Sequence, residues 1–138
     1  MKRPRFLGAE GILEAMPRVV AVVGASSDRT KFGNKAVRAF LRRGCVVVPI
    51  NPREREVEGL AAYASVLDVP GAIDMATFYV APAVGVKLLD EVARKGIPEV
   101  WLNPGAESPE VLERARALGL SAVVACSIVG IGENPAAY

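Results

Sequence analysis

The most constraining feature is a rhythm. Short β-branched apolar runs, each ending in a glycine, asparagine or proline loop, alternate with stretches of helical spacing. The run 18–23, Arg18-Val19-Val20-Ala21-Val22-Val23, shows it first. It has no polar/apolar alternation, as expected of a strand buried on both faces of a parallel sheet, and it empties into Gly24-Ala25-Ser26-Ser27. Helical spacing follows from Asn34 to Arg43, with Val37, Phe40 and Leu41 on one side and Gly44 as a stop. Cys45 to Ile50 reads as a second strand, closed by Asn51-Pro52.

The rhythm continues along the chain. Ile73 to Ala81 is predicted as a third strand. Pro82 opens a helix with Val84, Leu88, Leu89 and Val92 on one face, and Gly96 ends it. Val100 to Leu102 is a fourth strand. Ser108-Pro109-Glu110 starts a helix well, since Ser caps free amides and Pro suits the first turn. That helix carries Leu112, Ala115 and Leu118 and stops at Gly119; Ser121 to Cys126 is a fifth strand. A short helix is expected at about Ala9–Met16. Arg53 to Gly71 is the least periodic part, read as a loop and a short helix around Tyr63 to Leu67. Alternating strands and helices require right-handed crossovers. The expected fold is therefore α/β and Rossmann-like, a five-stranded parallel sheet with helices on both faces. A length of 138 residues suits one domain, 1–138.

Composition enters as exclusion. A net charge of +2 is too small for a nucleic-acid-coating surface. No apolar run approaches the roughly eighteen residues of a membrane span. The basic N-terminus is followed by Glu10, Glu14 and Pro17, which is not the pattern of a signal peptide, so the cytoplasm is the expected compartment. The two cysteines, Cys45 and Cys126, are far apart, make no metal-ligand spacing and read as small buried hydrophobes. There is no histidine. That removes Ser-His-Asp and Cys-His catalysis and histidine zinc sites. No metal site and no catalytic residue is assigned. Among the carboxylates Asp74, Asp90, Glu107 and Glu133, only Glu107 falls in a strand-end loop, where complementing the next helix N-terminus is the favoured reading.

Ligands of open parallel sheets sit beyond the C-terminal ends of the strands. The first such loop, Gly24 to Asn34, suits a phosphate. It offers a glycine for a tight turn, hydroxyls on Ser26 and Ser27, a charge on Lys31 and a helix N-terminus. It is neither a dinucleotide fingerprint nor a Walker loop. The second loop carries Asn51-Pro52-Arg53 where NAD enzymes usually place an acid for the ribose diol. A basic residue there suits a phosphorylated ribose, as in NADP or coenzyme A. A solvated charge cluster of Arg53 and Arg55 with Glu54, Glu56 and Glu58 is the plainer alternative.

The chain also resembles a family, the small bacterial and archaeal CoA-binding proteins. These are similar to the CoA-binding domain of the succinyl-CoA synthetase α subunit. The matching residues are Val23-Gly24-Ala25-Ser26-Ser27 with Gly33, Val48-Pro49-Ile50-Asn51-Pro52, Gly59 with Tyr63-Ala64-Ser65-Val66, Ile73-Asp74 leading to Phe78, and Val100-Trp101-Leu102-Asn103 with Gly105. The resemblance implies coenzyme A or an acyl-CoA as ligand. It implies Gly24, Ala25, Ser26, Ser27, Lys31 and Gly33 around the pyrophosphate, and Asn51, Pro52 and Arg53 at the ribose and its 3′-phosphate. It further implies Tyr79, Val80, Ala81 and Pro82 beside the adenine or the start of the pantetheine arm, with Asn103 and Gly105 near that arm. The sequence departs from the family at Asn103, where many members have Gln, and at Val124-Ala125-Cys126, where many have Asp-Arg-Cys. Related NDP-forming synthetases pass phosphate through a histidine, which this chain lacks. The expected role is thus binding without catalysis. An NADP-binding domain, or a subunit completing a synthetase with another chain, stays open, as do a homo-oligomer and a mixed disulfide between Cys126 and the CoA thiol.

Overall fold

The computed structural model describes residues 17–138, so the expected helix at about Ala9–Met16 lies outside the described residues. Strand β1 (Val19–Val23) leads into helix α1 (Phe32–Arg42), and β2 (Val46–Ile50) follows. A two-stranded hairpin comes next, β3 (Glu56–Val57) and β4 (Leu60–Ala61), then a 3₁₀ turn at Val66–Asp68. The remainder is β5 (Met75–Phe78), α2 (Pro82–Lys95), β6 (Glu99–Leu102), α3 (Pro109–Ala117), β7 (Ser121–Val124) and a single helical turn α4 (Ser127–Gly130).

Five strands form a parallel sheet in the order β2-β1-β5-β6-β7. Within this sheet the chain lays β2 on one side of β1 and β5, β6 and β7 on the other, while β3 and β4 form a separate two-stranded sheet. The topological switch point therefore lies between β1 and β5, where Val23 pairs with Phe78.

Alternation along each strand divides the core in two. Ala21, Val23, Ala76, Phe78, Val100 and Leu102 face α2 and α3, where they meet Leu89, Val92, Val111 and Ala115. Val20, Val22 and Met75 face α1 and α4, against Ala36, Val37, Phe40 and Ile128. Helices thus cover both faces, as the strand–helix rhythm predicts. Phe40 and Phe78 are fully buried, one on each side.

Local chemistry explains the element ends. Ser108 caps α3 by accepting from the Val111 amide at 3.1 Å. Gly96 ends α2 in the left-handed conformation at φ 83°. Ser65 caps the 3₁₀ turn through the Leu67 amide at 3.0 Å.

Three details differ from the sequence reading. The third and fifth strands are shorter than expected, ending at Phe78 and Val124. The β3–β4 hairpin was not visible in the sequence, because two-residue strands carry no periodicity. Both cysteines are partly exposed rather than buried; each lies just outside a strand, at Cys45 before β2 and Cys126 after β7.

Candidate functional site at the sheet switch point

Beyond the C-terminal ends of β1 and β5 the backbone is packed to contact. Gly24 has φ +94°, and a Cβ there would lie 2.7 Å from the Tyr79 carbonyl oxygen. A Cβ on Gly33 would lie 2.1 Å from the Gly24 carbonyl oxygen. Both positions require glycine because the first loop is squeezed between the end of β5 and the start of α1. Ala25, fully buried, holds the same loop down.

A cleft of about 290 Å³ opens beside these glycines. Gly24, Lys31, Phe32 and Gly33 form one wall; Tyr79, Val80 and Ala81 with Pro104, Gly105 and Ala106 form the other. The helix start facing this cleft is uncapped. Lys31 occupies the N-cap position without a side-chain cap bond. The Phe32 and Gly33 amides find no acceptor among the described residues. The Lys31 ammonium makes no ion pair among them either. Unpaired amides, a helix dipole and a lysine together favour an anion.

Phe32 is half exposed, with the Lys35 ammonium 5.2 Å from its ring centroid. Helical side chains lean back toward the N-terminus, so a residue at the first position of α1 leans toward the strand ends. Phe32, Val80, Ala81, Pro104 and Ala106 give the cleft an apolar share of its walls, beside the polar share around Lys31 and the glycine backbones.

The other half of the first loop is satisfied internally. The Ser27 amide and hydroxyl both donate to Glu54 Oε2, at 3.0 and 2.9 Å. Ser26 Oγ accepts from the Asp28 amide at 3.0 Å. Asn51 Nδ2 donates to the Ala25 carbonyl at 2.7 Å, and its Oδ1 accepts from the Arg53 amide at 2.8 Å. Pro52 and Arg53 are exposed. The hairpin is tied to α1 as well: Asn34 Nδ2 donates to Glu58 Oε2 at 2.9 Å, and Arg29 pairs with the same carboxylate at 3.3 Å. The Asn34 hydrogen bond, with Arg29 helping, holds the Glu58 carboxyl below the usual range.

Asn103 sits beneath the cleft. It is buried, donates to Thr77 Oγ1 (2.7 Å) and the Phe78 carbonyl (2.8 Å), and accepts from the Ser127 amide (2.8 Å). Its amide is thus fully engaged in joining β5, β6 and the start of α4. Ser127 Oγ bridges Thr77 Oγ1 (2.7 Å) and the Tyr79 hydroxyl (3.0 Å). Burial pushes the Tyr79 phenol up to about 12, so it stays protonated at neutral pH. Glu107 accepts from the Gly105 amide at 2.9 Å, closing its own loop.

Of the residues singled out in the sequence, the fold thus lines the cleft with Gly24, Lys31, Gly33, Tyr79, Val80, Ala81 and Gly105. Ala25 is buried behind it, Pro82 opens α2 behind it, and Asn103 supports it from below. Ser26, Ser27, Asn51, Pro52 and Arg53 lie outside the cleft lining. Phe32, Pro104 and Ala106 escaped the sequence reading. The signal for Phe32 was available: a large apolar residue directly before a helix-start glycine. Among the described residues no group of three or more cysteine, aspartate or glutamate side chains is placed to hold a metal ion. No helix among them is long and apolar enough to cross a membrane.

The sheet order and this cleft define a doubly wound, Rossmann-like α/β domain with its opening at the switch point. Residues 18–131 match the family model described as "CoA binding domain". The chain belongs to that family. It is 32% identical over 126 residues to the α subunit of acetate–CoA ligase (ADP-forming) II of Pyrococcus furiosus, covering 83% of this chain and 27% of that protein. The α subunit of ligase I from the same organism is 30% identical, over 90% of this chain and 30% of its own length. This chain therefore spans under a third of those relatives. Among solved structures, a Thermus thermophilus protein described as cell-free ID.343 superposes with a TM-score of 0.75 at 30% identity, covering 82% of this chain and 87% of that one. The dinucleotide-forming acetyl-coenzyme A synthetase 1 of Ca. Korarchaeum cryptofilum, in complex with phosphate and ADP, gives 0.70 at 31% identity, over 79% and 26%. Family membership ties the chain to coenzyme A.

Proposed function

We propose that this chain is a coenzyme A or acyl-CoA binding protein whose cleft holds the ligand without transforming it. The observation that carries this reading is the uncapped start of α1. The Phe32 and Gly33 amides, without an acceptor among the described residues, and the Lys31 ammonium, without an ion pair among them, face a cleft whose walls are part polar and part apolar. Anion donors next to a cleft of mixed polar and apolar lining suit a pyrophosphate joined to a pantetheine arm, which carries amides as well as methylenes. Gly24, Gly33 and Lys31 would hold the phosphate next to the arm. Phe32, Val80, Ala81 and Gly105 would flank the arm, with Tyr79 beneath it. Asn51, Pro52 and Arg53, exposed beyond β2, would take the ribose and its 3′-phosphate. These 138 residues include no histidine, so a relay of phosphate through histidine would need one supplied from outside them. A role as the CoA-binding part of a two-chain synthetase is the second reading, favoured by the α-subunit relatives.

Thermal shift with CoA, acetyl-CoA, NADP and NAD in parallel tests the first reading. A ligand at 100 times its Kd adds about 2.7 kcal/mol. CoA and acetyl-CoA are expected to raise the melting temperature; a shift with NADP and none with CoA refutes the proposal. Arg53→Ala is expected to weaken CoA more than dephospho-CoA, since only CoA carries the 3′-phosphate. Equal losses would remove Arg53 from that role.

A further inference from the structure

The Glu54 carboxylate lies where a ligand anion would be expected. It receives both hydrogen bonds that Ser27 can donate, at 3.0 Å from the amide and 2.9 Å from the hydroxyl. These donors lie on the same loop as Gly24, only a few residues before the uncapped start of α1. The two halves of the loop thus offer two sets of anion donors. One set, at Lys31, Phe32 and Gly33, has no internal acceptor among the described residues; the other is filled by a side chain of the protein itself. Glu54 stands on the segment leading from β2 into the β3–β4 hairpin. That hairpin is anchored separately by Glu58 on Asn34 and Arg29. Glu54 can therefore leave Ser27 without releasing the hairpin.

We infer that Glu54 is a resident anion that a diphosphate ligand displaces. One phosphate binds at the α1 start without competition. The second takes the Ser27 amide and hydroxyl only when Glu54 swings out to solvent. Glu54 thereby sets a selectivity: it weakens ligands that need both donor sets and leaves ligands with a single phosphate untouched. This inference rests on the coenzyme A reading above.

The test compares CoA with 4′-phosphopantetheine, which keeps the pantetheine arm and one phosphate, by calorimetric titration of the intact chain. Glu54→Gln removes the charge. Glu54→Asp keeps the charge on a side chain too short to reach Ser27 in the same geometry. Both variants are expected to bind CoA about tenfold more tightly than the parent, the order of a lost charge-assisted competitor, with 4′-phosphopantetheine unchanged. Equal gains for the two ligands, or a gain in Glu54→Gln alone, would reduce Glu54 to a long-range repulsive charge and overturn the displacement. No gain in either variant, with CoA still bound by the parent, overturns it as well. If CoA binds neither parent nor variants, the coenzyme A reading falls and this inference with it.

Discussion

The two halves of the first loop were built by the same short stretch of sequence, yet they end in opposite states. Toward β5 the loop meets the cleft with open donors: the Phe32 and Gly33 amides and Lys31. Toward β2 its polar groups are engaged within the protein: Ser27 donates to Glu54, and the Ala25 carbonyl accepts from Asn51 at the end of β2. The difference teaches that a phosphate-suited sequence is not yet a phosphate site. A donor contributes to binding only when folding has left it without an internal acceptor, because otherwise the ligand must first break a bond of comparable strength.

The harshest way to break this contrast is Gly33→Ala. A Cβ would press on the Gly24 carbonyl at 2.1 Å, and only backbone movement relieves it. Denaturant unfolding is expected to show a loss of about 3 kcal/mol or more, with CoA binding lost together with the loop geometry. A wild-type midpoint would show that the loop can shift without cost. Asn103→Ala comes next. It leaves the Ser127 amide without its acceptor and removes a donor from the Phe78 carbonyl and from Thr77 Oγ1, which keeps its bond to Ser127 Oγ, at a cost of roughly 2–3 kcal/mol. Because Asn103 supports the cleft floor rather than lining it, the expected loss is mainly in stability, read from the melting temperature, with ligand affinity at saturable protein largely kept.

Lys31→Gln sharpens the contrast on the open side. With no ion pair of Lys31 among the described residues to release, the variant is expected to keep its unfolding free energy to within about 0.5 kcal/mol. It should lose roughly tenfold in CoA affinity, as titration at low salt would read. The smallest effect belongs to the closed side. Glu58 has a depressed folded pKa, so its contribution is present above the unfolded value near 4.5 and is lost as pH falls through the folded one. Glu58→Gln should therefore be less stable than the parent by up to about 1 kcal/mol at neutral pH. The two should converge as pH drops below 4.5 toward that lower value. A gap that persists in acid would mean that Glu58 acts through packing, or through its left-handed backbone at φ 52°, rather than its charge.

The fold was largely legible. β-branched runs such as Val19–Val23 and Val46–Ile50 and amphipathic stretches such as Phe32–Arg42 carry their periodicity locally, so element type followed from side-chain spacing alone. The Glu56–Ala61 hairpin did not, because its strands are shorter than one repeat of the pattern that would reveal them. The site was legible in part. Gly24, Lys31, Gly33, Tyr79 and Gly105 stood out as loop residues at strand ends, and they line the cleft. Phe32 carried a signal, a large apolar residue before a helix-start glycine, but one that core packing explains equally well until the fold shows it half exposed.

What the sequence by itself determined is the alternation of strands and helices, the glycines in the strand-end loops, and a composition without histidine. Only the tertiary structure decided which donors remain available. That outcome depends on side chains far apart in the chain: Glu54 comes from beyond β2 to occupy Ser27, while nothing among the described residues comes to cap α1. Periodicity is a property of neighbours along the chain. Hydrogen-bond competition is a property of neighbours in space, and only the packed sheet brings those together.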